Sequence, residues 1–161
     1  MNYLLDTNLL LIYNRGNQIS RLIEDDYHLF SGKYNLAVSV VAIGEIKSIL
    51  YQAGVGQRRT ELLNQRLDKL VKLSIDHREI INKYIEIDAF SQGRHQTLSA
   101  TFSFRNMGKN DLWIAATASA LNLKLVTTDK DFEHLQGKFL DLEYVEFEEY
   151  RILVRSKSED Q

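Results

Sequence analysis

The sequence contains no cysteine and no proline. Without cysteine there is no disulfide framework, and thiolate metal sites and thiol nucleophiles are excluded. Without proline, one source of slow folding phases is gone. Long apolar runs are missing too. The N-terminal MNYLLDTNLLLIYNRG is interrupted by Asp6 and Asn8 and has no basic residue before its apolar part, so it reads neither as a signal peptide nor as a membrane span. The formal net charge is only −2, so no global field draws in a polyanion. No repeat, low-complexity segment or linker interrupts the chain. These absences fit a cytoplasmic protein with no membrane partner.

The 161 residues are 44% hydrophobic and 26% charged, ordinary for a globular domain that needs no covalent staples. A single domain is expected over residues 1–150, with a polar C-terminal tail over residues 151–161. Charge is unevenly spread. Between residues 57 and 109, Arg58, Arg59, Arg66, Lys69, Lys72, Arg78, Lys83, Arg94, Arg105 and Lys109 outnumber Glu61, Asp68, Asp76, Glu79, Glu86 and Asp88. A solvated helical face is the plain reading of that excess, and a surface for phosphate backbone is the sharper one.

Apolar periodicity predicts alternating strands and helices. Residues 2–6 read as a buried strand, followed by a short helix over 9–13 and a break at Arg15-Gly16-Asn17. Residues 19–30 have helical spacing and Ser31-Gly32 a turn. A second strand is expected at 36–38. Ser39 then caps a helix to about residue 52, with Gly54 as its stop. A helix over 60–72, a strand over 73–75, Asp76 as a cap and a helix over 77–90 follow. Residues 91–106 have the weakest pattern and read as a loop or irregular helix. Residues 112–121 are apolar almost all round, the mark of a helix buried on several sides, and Leu125-Val126-Thr127 reads as a buried strand. Residues 139–147 alternate as a last strand. The sum is an α/β sandwich whose central sheet is mostly parallel.

On that architecture four acids have a common address. Asp6 and Asp129 lie at the carboxyl ends of strands, where open parallel sheets place their ligand crevices. Asp111 opens a helix, and Glu45 lies at the edge of the apolar stripe Ala42, Ile43, Ile46, Ile49, Leu50, about 40° from Ile49 at about 100° per residue. Carboxylates gathered beside apolar segments cost several kcal/mol unless compensated. A divalent cation among them is one compensation, and hard oxygen donors without cysteine point to Mg²⁺ or Mn²⁺ rather than structural zinc.

YLLDTNLLLIY, Glu45 in VVAIGEI, NDLWIAATA and LVTTDKDF, in that order over about residues 1–147, resemble the motifs of PIN-domain ribonucleases, most closely the VapC-type toxins of bacterial toxin–antitoxin pairs. The resemblance implies a PIN-like three-layer sandwich and Mg²⁺- or Mn²⁺-dependent endonucleolytic cleavage of RNA. Asp6, Glu45, Asp111 and Asp129 would be the catalytic metal-binding acids, supported by Asn8 and Thr127, with Asp131 beside them. A homodimer and a cognate antitoxin that places a basic side chain among the acids are implied as well. Arg58, Arg59, Arg94, Arg105 and Lys109 are the candidate RNA contacts, and Phe102 and Phe104 the candidate base contacts. The chain is longer than compact members of that family, chiefly between residues 58 and 106.

Each acid also has a plain reading: Asp6 and Asp111 as helix caps or first-turn acids, Glu45 as a stripe-edge carboxylate paired with Lys47 or an arginine, Asp129 as a turn opener in which Asp131 is equally eligible. His28, His77, His95 and His134 show no ligand spacing and read as surface or cap residues. Gly54-Val-Gly56 lacks the third glycine of a dinucleotide fingerprint, and no nucleophile elbow appears. A receiver-like regulatory module would want a second acid directly after Asp6, where Thr7 stands. A catalytically inert binding fold is the remaining alternative.

Overall fold

The computed structural model describes residues 2–159. Strand β1 (Asn2–Leu5) leads into α1 (Thr7–Arg15) and α2 (Gln18–Tyr27), and a short 3₁₀ turn (Leu29–Ser31) leads to β2 (Asn35–Ser39). Then come α3 (Val40–Gln52), α4 (Gln57–Leu67), β3 (Val71–Leu73) and α5 (Arg78–Ser91). An irregular strap over residues 92–108 connects to α6 (Lys109–Ala120) and β4 (Lys124–Thr127). A 3₁₀ turn (Lys130–Leu135), β5 (Asp141–Tyr144) and α7 (Phe147–Glu159) complete the fold.

The strands form one sheet in the order β3-β2-β1-β4-β5, with every neighbouring pair parallel. Adjacent residues on a strand face opposite sides, and Leu4, Leu5, Leu125 and Val126 are all fully buried. Both faces of the sheet are therefore covered, as the three-layer expectation requires. Helix α6 packs against α5 and α3. That double contact explains why Leu112, Ile114, Ala115, Ala116 and Ala118, spread around its circumference, are all buried. The chain builds outward from β1 through β2 to β3, then returns to place β4 on the other side of β1. The crevice of such a sheet opens at that reversal, between the carboxyl ends of β1 and β4.

Several expectations are corrected. The helix expected to reach residue 72 stops at Leu67, and β3 begins at Val71 instead of residue 73. Leu70 and Val71 keep helical spacing, but pairing of Val71 with Ala37 of β2 places this β-branched residue in the sheet. Asp76 does not cap α5: His77 holds that position, and the Asp76 carboxylate accepts the Ser74 hydroxyl at 2.8 Å. The last strand ends at Tyr144, and Phe147 starts a helix that docks on α2, where buried Tyr150 donates to Asp26 at 2.6 Å. The boundary expected after residue 150 therefore falls inside α7, and the part of the expected tail at residues 160–161 lies outside the described residues. Among the described residues no helix is long and apolar enough to cross a membrane.

Candidate active site

Asp6 stands where the chain leaves the sheet. Its N–H still bonds the Val126 carbonyl at 3.1 Å, while its Oδ1 accepts the Thr7 N–H at 2.6 Å and caps α1. Capping is thus a real part of its role. Its other oxygen, Oδ2, accepts the Thr127 hydroxyl at 2.8 Å, and the same Thr127 oxygen accepts the Asp129 N–H at 3.0 Å. One threonine at the end of β4 therefore ties both strand-end acids together. On the opposite side the Thr7 hydroxyl donates to Glu45 Oε2 at 2.7 Å, reaching from the start of α1 to the second turn of α3. Asp111 lies on the first turn of α6, directly over Gly108. A Cβ at Gly108 would come within 2.6 Å of Asp111 Oδ2.

The electrostatics show the acids sharing one region. Burial pushes the Asp6 carboxyl up to about 7; the Thr127 and Thr7 hydrogen bonds pull the other way, and the charges of Asp111 and Asp129 add to the rise. Burial likewise raises Asp111, to about 6, helped by Asp129, Glu45 and Asp131. Among the described ion pairs none neutralises Asp6, Glu45, Asp111 or Asp129; Arg105 lies instead 3.8 Å from the neighbouring Asp131. The donor set is all oxygen and lacks a countercharge, which suits a hard dication. Among the described residues no group of three or more acids or histidines is drawn together closely enough to hold a metal ion as it stands.

Thr127→Val removes both hydrogen bonds at near-constant volume. It is expected to cost about 1–3 kcal/mol in urea unfolding, with Thr127→Ser recovering most of it. Equal stability of the valine variant would show that the hydroxyl does not hold the two acids.

The remaining expected residues are scattered. Asn8 is exposed; the polar support is its neighbour Thr7, 4% exposed, which the sequence does not single out. The usable signal is a hydroxyl between a strand-end acid and a buried helix, because a buried hydroxyl needs a partner. Asp131 is exposed and donates its N–H to Asp129 Oδ1 at 2.9 Å. Arg105 is half-buried, its guanidinium 3.4 Å from the Lys130 carbonyl oxygen. Lys109 sits over the Tyr84 ring, and Arg94 is exposed just past α5. Arg58 and Arg59 open α4, and among the described residues neither pairs with the acids. His134 corrects the expectation of surface histidines: its ring packs against Phe90 and Phe102, and Nε2 lies 2.7 Å from the buried Ser91 hydroxyl. A cavity of about 360 Å³ lined by Tyr13, Phe30 and Arg66, among others, contains none of the four acids in its wall.

The chain is 26% identical over 133 residues to Ribonuclease VapC5 of Mycobacterium tuberculosis, covering 83% of this chain and 87% of that protein. Its fold is similar to that in the structure of VapBC2 from Rickettsia felis bound to a DNA fragment from their promoter. There the TM-score is 0.69 at 21% identity, over 90% of this chain and 99% of that one. VapBC-1 from nontypeable Haemophilus influenzae gives a TM-score of 0.63 at 24% identity, over 89% of this chain and 98% of that one. At such identities the structures speak to the fold. Residues 3–138 match the sequence profile of the PIN domain, a span that runs from β1 past β4 and holds all four acids; with this parallel sheet and this crevice, the chain belongs to the PIN domain family.

Proposed function

We propose that the protein is a Mg²⁺- or Mn²⁺-dependent endoribonuclease and the toxin of a toxin–antitoxin pair, acting in the cytoplasm as a homodimer held in check by a cognate antitoxin. The observation that carries this reading is the shared electrostatic neighbourhood of Asp6, Asp111, Asp129 and Glu45 at the sheet's reversal, where Thr127 links Asp6 to Asp129, Thr7 links Asp6 to Glu45, and among the described residues no ion pair neutralises any of the four. Asp6, Asp111 and Asp129 would hold the cation, and when bound it supplies Lewis acidity at the scissile phosphate. Glu45, with Oε2 held by Thr7, keeps Oε1 free to accept a proton from the attacking water. Water adds at phosphorus as the P–O3′ bond breaks, and the departing 3′ oxygen takes its proton from solvent. The ribonuclease name of VapC5 and the VapBC complexes among the structural neighbours support the substrate and the partner.

Purified protein is expected to cut structured RNA in Mn²⁺, to stop in excess EDTA, and to resume when Mn²⁺ is restored. Cleavage that continues in EDTA would overturn the metal dependence. No cleavage, together with no heat of Mn²⁺ binding by calorimetry, would leave an inert binding fold.

A further inference from the structure

The strap over residues 92–108 carries two phenylalanines that the fold uses in opposite ways. Phe102 turns inward, its ring 5.2 Å from Phe90 and 4.8 Å from His134. Phe104, two residues on, is 74% exposed. An edge of its ring rests on Gly93: a Cβ there would lie 1.9 Å from Phe104 Cε1, and Gly93 has a φ of +67°. The strap is pinned on both sides of this ring. The Arg105 N–H donates to the Ser91 carbonyl at 2.8 Å, and the Ser91 hydroxyl meets Met107 Sδ at 3.3 Å. Arg105 extends from the same spot to the turn after β4, where one guanidinium nitrogen makes only long contacts, 3.4 Å to the Lys130 oxygen and 3.8 Å to Asp131. A guanidinium has five donors, so among the described residues most of its capacity is open.

An exposed aromatic ring on a pinned backbone, with an under-used guanidinium next to it at the rim of an acidic crevice, has the chemistry of a single-stranded nucleic-acid subsite. We propose that Phe104 stacks an unpaired base of the RNA and that Arg105 binds the phosphate beside it, positioning the strand against Asp111 and Asp129. This assignment rests on the nuclease reading of the acids. It separates Phe104 from Phe102, whose ring packs against Phe90 and His134.

The test uses poly(U) as probe, with Ca²⁺ replacing Mg²⁺ so that binding is read without cutting. Phe104→Trp should show saturable fluorescence quenching beyond the change seen from Trp113 in the wild type, and duplex RNA, whose bases are already stacked, should not produce it. Phe104→Ala should weaken poly(U) binding about tenfold. Phe104→Leu keeps apolar bulk without a π-face and should be equally weak, with melting temperatures unchanged. Arg105→Ala should flatten the dependence of log affinity on log salt by about 0.7. Poly(U) binding that leaves the fluorescence of Phe104→Trp unquenched, or full affinity in Phe104→Leu, would overturn the subsite while leaving the nuclease reading intact, and would assign the exposed ring to a protein contact. No poly(U) binding by the wild type would overturn the subsite, while the nuclease reading is decided separately by Mn²⁺-dependent cleavage of structured RNA.

Discussion

Asp6→Asn is expected to reduce RNA cleavage about a thousandfold or more and, in the metal-free protein at pH 8, to raise the melting temperature. The first effect follows from the proposed role of Asp6 in holding the cation: a loss of about 4 kcal/mol at the transition state is already about a thousandfold. The second follows from the carboxyl's own titration. In the fold it titrates near 7, against 3.8 for the unperturbed group. Between those pH values the folded state holds a proton that the unfolded state has released, so stability falls as pH rises through this window. Above about pH 7 the full cost is in place, on the order of 4 kcal/mol. Asparagine keeps an acceptor for the Thr7 N–H and has no charge to desolvate. At pH 8 in EDTA the variant should therefore melt higher, by on the order of 10 °C. Near pH 4 the two proteins should melt together. Undiminished cleavage would remove Asp6 from the active centre, and equal melting at pH 8 would show that its charge is compensated.

Gly108→Ala is expected to lower cleavage about a hundredfold with little loss of stability. Gly108 has φ −57° and ψ 144°, a conformation open to any residue, so backbone strain is not the issue. The new methyl would meet Asp111 Oδ2 at 2.6 Å, and the part able to move is that carboxylate, because it ends a short side chain. Displacing a catalytic group by about 1 Å can cost about a hundredfold. An alanine in place of the N-cap glycine costs only up to about 1 kcal/mol. A melting curve within a few degrees of wild type beside a large loss of rate is the expected pair. Full activity would mean that Asp111 does not need its present position.

Much of the fold is legible in the chain because its signals are local. The apolar run of β1 and the all-round apolar face of α6 each report their own burial, and Ser39 does cap α3, accepting the Val41 N–H at 3.2 Å. The misses fall where a distant partner decides. Val71 is helical by spacing and a strand residue by pairing with β2, and α7 shows weakly in the chain because its place is set by docking on α2, where Tyr150 meets Asp26. Thr7 escapes notice for a related reason. Its partner, Glu45, is 38 residues away, and no local pattern records that hydrogen bond.

The amino-acid order by itself determined which residues are acids, which ends of strands and helices carry them, and that the chain has no thiolate ligand to offer. Those properties follow from residue type and from periods of two and 3.6, which act over a few neighbours. Only the tertiary structure decided that Thr127 would join Asp6 to Asp129, that burial would raise the Asp6 carboxyl, and that Phe102 would enter the core while Phe104 stays outside. Hydrogen bonding, desolvation and packing depend on what the rest of the chain brings near, and the parallel crossovers bring together segments more than a hundred residues apart.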